Sequence, residues 1–138
     1  MFLFGLVVLI LGVVYITIRD PWLLDKEANE TLLTVSYSIL FSQSVNQYLP
    51  GYLTLMYRFF GWWLVSIGLL LLVYIFVTKM GTRLARNCLY VATVIVLIGV
   101  YYITLKFIPE TPFLWIVHGF VFLLLVSMYG SIKLTRYD

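Results

Sequence analysis

YRFFGWWLVSIGLLLLVYIFVTKMGTRLARNCLYVATVIVLIGVYYITLKF, residues 57–107, is the stretch whose reading decides the fold. It holds an apolar run at 59–77, a short basic turn carrying Lys79, Arg83 and Arg86, and a second apolar run at 89–108. Each run is close to the roughly 20 residues that a helix needs to cross the hydrocarbon core of a bilayer. The pair predicts a helical hairpin. The lysine and arginines at its tip predict that the tip faces the cytoplasm.

Working outward, composition agrees. The chain has 138 residues, 63% hydrophobic and 11% charged, with a mean hydropathy of +1.04. A soluble domain of this size has too much surface for its volume to hide that much apolar area, so lipid is expected to be part of the solvent. The net charge of +3 is small and its basic residues are scattered at helix ends, which excludes a nucleic-acid footprint. The single cysteine, Cys88, excludes an intrachain disulfide and a multi-cysteine metal site, and the single histidine, His118, excludes a haem held by two histidines of this chain. No glycine-rich phosphate loop, nucleophile elbow or zinc-ligand spacing is present, and no metal or cofactor is expected.

Residues 2–18 form another apolar run, with no basic residue ahead of it and no small-residue cleavage site behind it. It is therefore expected to be a retained helix rather than a signal peptide, ended by Asp20-Pro21. Residues 19–51 form a connector with four acidic and two basic residues. Within it Val35, Tyr37, Ile39 and Phe41 alternate with serines as in a strand, while Leu33, Tyr37, Leu40, Phe41, Ser44 and Tyr48 share one helical face. Periodicity does not separate the two. A helix lying in the membrane interface is favoured, because a lone strand beside lipid leaves backbone groups unpaired. Pro50-Gly51 is read as closing the connector. After the hairpin, Pro109-Glu110-Thr111-Pro112 is a break in which Thr111 can cap the next helix and Pro112 suits its first turn.

The expected fold is one all-α domain over 1–138: a polytopic membrane protein with four transmembrane helices at 2–18, 57–78, 87–108 and 113–133. The basic turn and the tail (Lys133, Arg136) put both termini in the cytoplasm and the acidic connector outside. Trp22, Tyr52, Tyr57, Trp62, Trp63, Tyr101, Tyr102 and Trp115 would then lie at the outer interface, and Tyr90, Tyr129 and Tyr137 nearer the inner one. The expected location is a bacterial inner (cytoplasmic) membrane. Helices in lipid associate through close contact at small residues. Gly5 and Gly12, Gly61 and Gly68, and Ala85, Ala92 and Gly99 recur at seven-residue intervals, and Gly119, Ser127 and Gly130 lie on roughly one face. That interval fits a left-handed bundle.

Four ionisable residues fall towards the outer side. Arg58 precedes Phe59-Phe60-Gly61-Trp62-Trp63, Lys106 ends the third helix, Glu110 is in the outer turn, and His118 is inside the fourth helix. With Tyr101 or Tyr102 as a wall they define a candidate outward-facing polar pocket, since an arginine at membrane depth usually faces a partner or a wet cavity. The competing readings are snorkelling to headgroups for Arg58 and Lys106, an interhelical hydrogen bond for His118, and a solvated turn for Glu110. Cys88 is read as an inert packing residue, with lipidation as the alternative. Asn29-Glu30-Thr31 matches a glycosylation acceptor. The inner halves at 69–77 and 122–126 are almost wholly apolar, which argues against a pore formed by one chain.

A first helix closing on Asp20-Pro21, an outer connector, then Arg58-Phe59-Phe60-Gly61 opening a second helix with Gly68 later, resembles the DoxX-like group of small four-helix membrane proteins. The resemblance implies an accessory subunit beside a membrane oxidoreductase that hands electrons to quinone. Two functions are therefore expected. The first is a bundle that binds a lipid-like ligand or associates with a membrane partner or a second copy. The second is an enzyme or transporter acting on a quinone- or isoprenoid-like substrate at Arg58, Glu110 and His118.

Overall fold

The computed structural model describes residues 1–80, 82–109 and 111–134. Its elements are α1 (Phe2–Thr17), α2 (Lys26–Leu33), α3 (Tyr37–Ser42), α4 (Leu49–Thr78), α5 (Arg83–Phe107) and α6 (Phe113–Leu134), with single 3-10 turns at Pro21–Asp25 and Ser44–Asn46. No strand occurs among the described residues.

Local chemistry sets the boundaries. Ile18 leaves the helical region (ψ 138°), Asp20 is non-helical at φ −124° and ψ 75°, and Pro21 opens the 3-10 turn, because proline disfavours helical backbone in the residue before it. Thr82 caps α5, its Oγ1 accepting from the Ala85 N–H at 3.1 Å, so that helix starts at Arg83 rather than at 87. Thr111 Oγ1 accepts from the Phe113 N–H at 3.2 Å at the head of α6. The expectation that Pro50-Gly51 closes the connector is corrected: α4 already begins at Leu49 and holds Pro50 in its first turn. No intrahelical partner is needed for the proline nitrogen there.

The alternation around residue 37 is not used as a strand. Tyr37 and Phe41, four apart on α3, stack at 5.0 Å and close edge-on around Trp22 at 5.2 and 5.3 Å. The connector is thereby a small aromatic knot. Trp22 Nε1 donates to Thr54 Oγ1 at 3.2 Å and fastens it to the start of α4.

Among the described residues three helices are long and apolar enough to cross a membrane: Ser44–Thr78, Arg83–Phe107 and Phe113–Ile132. At 16 residues α1 is about 24 Å long, short of a hydrocarbon core of about 30 Å, and after a 117° bend the chain runs on through Pro21–Leu33. The outward faces of the long helices are apolar, with Leu70, Phe76, Val77, Ile95, Ile98 and Phe122 among the most exposed side chains.

The helices form two pairs. α1 and α4 run antiparallel in close contact: a Cβ on Gly12 would lie 2.6 Å from the Gly61 carbonyl oxygen, and one on Gly68 2.7 Å from the Leu9 nitrogen. α5 and α6 are held by Tyr90, whose hydroxyl donates to the Ser127 carbonyl at 3.0 Å. The pairs meet in a core of Phe4, Val8, Tyr90, Leu97, Phe120 and Leu124, with the Phe4 and Phe120 rings 4.6 Å apart.

Candidate functional site

Of the buried polar side chains among the described residues, Asp25, Thr104 and Thr111 lie towards the connector end of the bundle, while Arg86 and Thr93 lie towards the basic turn. Asp25, the last residue of the 3-10 turn, is 8% exposed although it is a carboxylic acid. One of its oxygens, Oδ1, accepts a hydrogen bond from the Thr111 hydroxyl, 86 residues away in sequence. Thr111 thus caps α6 and fastens the connector to it. Tyr15 of α1 and Tyr57 of α4 stack beside Asp25 with ring centroids 5.9 Å apart, and both hydroxyls lie near its carboxylate. Asn29 Nδ2 donates to Tyr57 Oη at 2.8 Å, and Glu30 Oε1 accepts from the Tyr37 backbone N–H at 2.7 Å. Burial pushes the pKa of Tyr37 up, with the Asn29 hydrogen bond opposing it. Among the described residues one ion pair occurs, Lys26 with Glu30 at 4.0 Å, and Asp25 has no cationic partner.

Beneath this roof is an apolar cavity of about 420 Å³ between the two helix pairs. α1 contributes Val8 and Leu11, α4 Leu64 and Ile67, α5 Leu97 and Val100, and α6 Phe113 and Phe120. Asp25, Tyr15, Tyr57 and Thr104 are its polar lining. Thr104 Oγ1 donates to the Val100 carbonyl at 2.8 Å and is internally satisfied. The Phe4–Phe120 contact closes the floor. Several lining side chains of α4 and α5, Trp63, Ile67, Val96 and Ile103, are also exposed outward, so the cavity opens sideways between these helices.

Of the residues singled out for an outer polar pocket, Tyr101, Tyr102 and His118 come together and Lys106 joins Tyr102, while Arg58 makes no hydrogen bond or ion pair with them. Arg58 is exposed and makes no hydrogen bond or ion pair with a described residue. Lys106 donates to Tyr102, one turn back on its own helix, at 3.2 Å, and its ammonium stands 5.5 Å from that ring and 5.4 Å from Phe107. His118 meets Tyr101 across the α5–α6 pair at 3.3 Å through Nε2, while Nδ1 lies 2.8 Å from the Leu114 carbonyl. A carbonyl only accepts, so Nδ1 carries the proton and, in the neutral ring, Nε2 accepts from the tyrosine hydroxyl. Tyr101, Tyr102 and His118 line a shallow apolar groove. Glu110 lies outside the described residues, as do Arg136, Tyr137 and Asp138.

The small-residue seam is likewise local. Gly5, Gly12, Gly61 and Gly68 all sit in the α1–α4 contact, whereas nothing lies within 4 Å of a Cβ built on Gly99, Gly119 or Gly130, and Ala92 is exposed. Cys88 is exposed rather than packed. Asn29 of the glycosylation pattern is half-buried with its amide engaged by Tyr57. Arg86 of the basic turn is buried, its Nη1 donating to the Met80 carbonyl at 3.1 Å and its Nη2 without a partner. No group of three metal-ligating side chains occurs among the described residues.

Asp25, Tyr15, Tyr57 and Thr111 were not candidates on sequence. One signal was present: Tyr15 is the sole residue with a polar side chain in the run 2–16. Compared with family models, curated proteins and solved structures, the chain matches none.

Proposed function

We propose that this chain is a small integral membrane protein whose four-helix bundle holds a lipid-like ligand in the cavity beneath Asp25. α1, α4, α5 and α6 are its spanning helices, with the basic turn 79–86 and both termini on the cytoplasmic face of a bacterial inner membrane and the connector outside. The seven-residue spacing of the glycines in the α1–α4 seam fits a left-handed crossing. The observation that carries the reading is the cavity itself. It is apolar, of the size that small molecules occupy, lined by all four long helices, and provided with a few polar groups at one end. Its sideways opening gives an acyl or isoprenoid chain a route in from the bilayer. The DoxX-like resemblance adds a role beside a membrane partner, for which a bound quinone is a natural ligand.

The test is the chain purified in mild detergent, with native mass spectrometry of what it carries. A bound lipid or quinone is expected, and it should be absent from Leu97→Trp, which places an indole in the cavity. Wild-type protein free of any such molecule would refute the reading.

A further inference from the structure

We infer that the cavity beneath Asp25 selects hydrophobic organic cations, compounds with an ammonium-type head on an apolar body; this rests on the ligand-binding reading above. Asp25 is a carboxylate removed from water, and no lysine, arginine or histidine among the described residues pairs with it. A buried charge without a counter-charge is unfavourable, and the usual remedy is a partner of opposite sign. Thr111 donates to Oδ1, and the Tyr15 and Tyr57 hydroxyls lie beside the carboxylate; these are neutral donors and leave its charge uncompensated. Asp25 is itself part of the cavity wall.

The surrounding side chains suit the same guest. Tyr15 and Tyr57 line the cavity beside Asp25, and Phe60 and Trp63 line it too, with Tyr15 stacked on Tyr57 at 5.9 Å and edge-on to Phe60 at 5.3 Å. Aromatic faces attract cations through their quadrupoles, and rings gathered beside a carboxylate are the common receptor for quaternary ammonium groups. An anionic head is disfavoured by the same carboxylate. A neutral chain gains the apolar contacts alone. The sideways opening between α4 and α5 lets such a compound arrive dissolved in the membrane.

The experiment compares two ions of one shape, tetraphenylphosphonium and tetraphenylborate, by equilibrium dialysis against the full chain in detergent. Saturable binding of the cation, at least about tenfold weaker in Asp25→Asn, is expected, since removing a charge-assisted contact has that effect. Asp25→Asn keeps an acceptor for Thr111, and unchanged circular dichroism would show that it folds. Binding of the borate as tightly as the phosphonium, cation binding unaltered in Asp25→Asn, or no saturable cation binding would each overturn the inference. Where a lipid still co-purifies with the wild type and is lost in Leu97→Trp, those outcomes leave the ligand-binding reading standing. Loss of that lipid signal from the wild type removes the reading itself.

Discussion

Adding one methyl group to Gly12 tests whether α1 and α4 depend on backbone contact. A Cβ there would sit 2.6 Å from the Gly61 carbonyl oxygen and 2.6 Å from the Val65 nitrogen, and 2.9 Å from Val65 Cγ2. The first two are backbone atoms and cannot swing aside. Restoring an ordinary separation of 3.4 Å requires the helices to part by about 0.8 Å at that point. A gap of that size forfeits a quarter to a half of the dispersion energy of the contacts it opens, and overpacking of this kind typically destabilises by about 1–3 kcal/mol. Alanine also favours helix over glycine by up to about 1 kcal/mol in water, which would mask part of the loss. Gly99→Ala supplies the correction: it carries the same backbone gain and meets nothing within 4 Å. Unfolding in mixed micelles with increasing denaturing detergent, followed by tryptophan fluorescence, should place Gly12→Ala about 1–3 kcal/mol below Gly99→Ala. Gly61→Ala, facing the same clash from the other helix, should show a similar loss, and the double variant should lose less than the sum. Equal stability of Gly12→Ala and Gly99→Ala would refute the reasoning.

The remaining predictions concern the two ends of the bundle. Thr111→Val keeps the shape but removes the hydroxyl that serves both Asp25 and the Phe113 N–H; a loss of about 1–3 kcal/mol is expected in the same assay, with Thr111→Ser restoring most of it. Arg86→Met fills the same space without the unpaired Nη2, so it should fall within about 1 kcal/mol of wild type, whereas Arg86→Ala should lose about 2 kcal/mol or more through the gap it leaves.

Much of the fold was legible because bilayer thickness imposes a length on apolar runs, and 59–77, 89–108 and 113–133 are long enough to register it. Thr111 gave a conventional capping signal, whereas the cap at Thr82 became apparent in the structure. The glycine spacing pointed to four residues that do touch, Gly5, Gly12, Gly61 and Gly68, and equally to Gly99 and Gly119, which face open space. Periodicity reports a face; it carries no information on what lies opposite. The site was legible to a lesser degree for a similar reason. Asp25 stands among Lys26, Glu27 and Glu30, and in a list of charges it is one more solvated connector residue. Its burial follows from the 117° bend that turns the connector back over the bundle, and from Thr111, which arrives only when α6 is in place. Arg58 is the opposite case: its neighbours Trp62 and Trp63 suggested depth, and its exposed side chain leaves it free to reach the headgroups.

The cavity and the seam have one physical cause. Four helices around one axis close completely only when adjacent faces present side chains of matching size. Here α1 and α4 meet through glycines, backbone against backbone, and this draws both axes to one side. α5 and α6 meet through larger groups and the Tyr90–Ser127 hydrogen bond, at a wider spacing. The core residues bridge the two pairs at the Phe4–Phe120 end, where aromatic rings span the difference. Between that contact and the aromatic rings beside Asp25 the facing residues are aliphatic, Leu11, Leu64 and Val100, and the space remains. Any substitution that parts α1 from α4 should therefore alter the cavity, so the glycine variants are expected to change ligand occupancy as well as stability. A Gly12→Ala protein that lost stability yet kept full ligand occupancy would show that the seam and the cavity are independent features of the bundle.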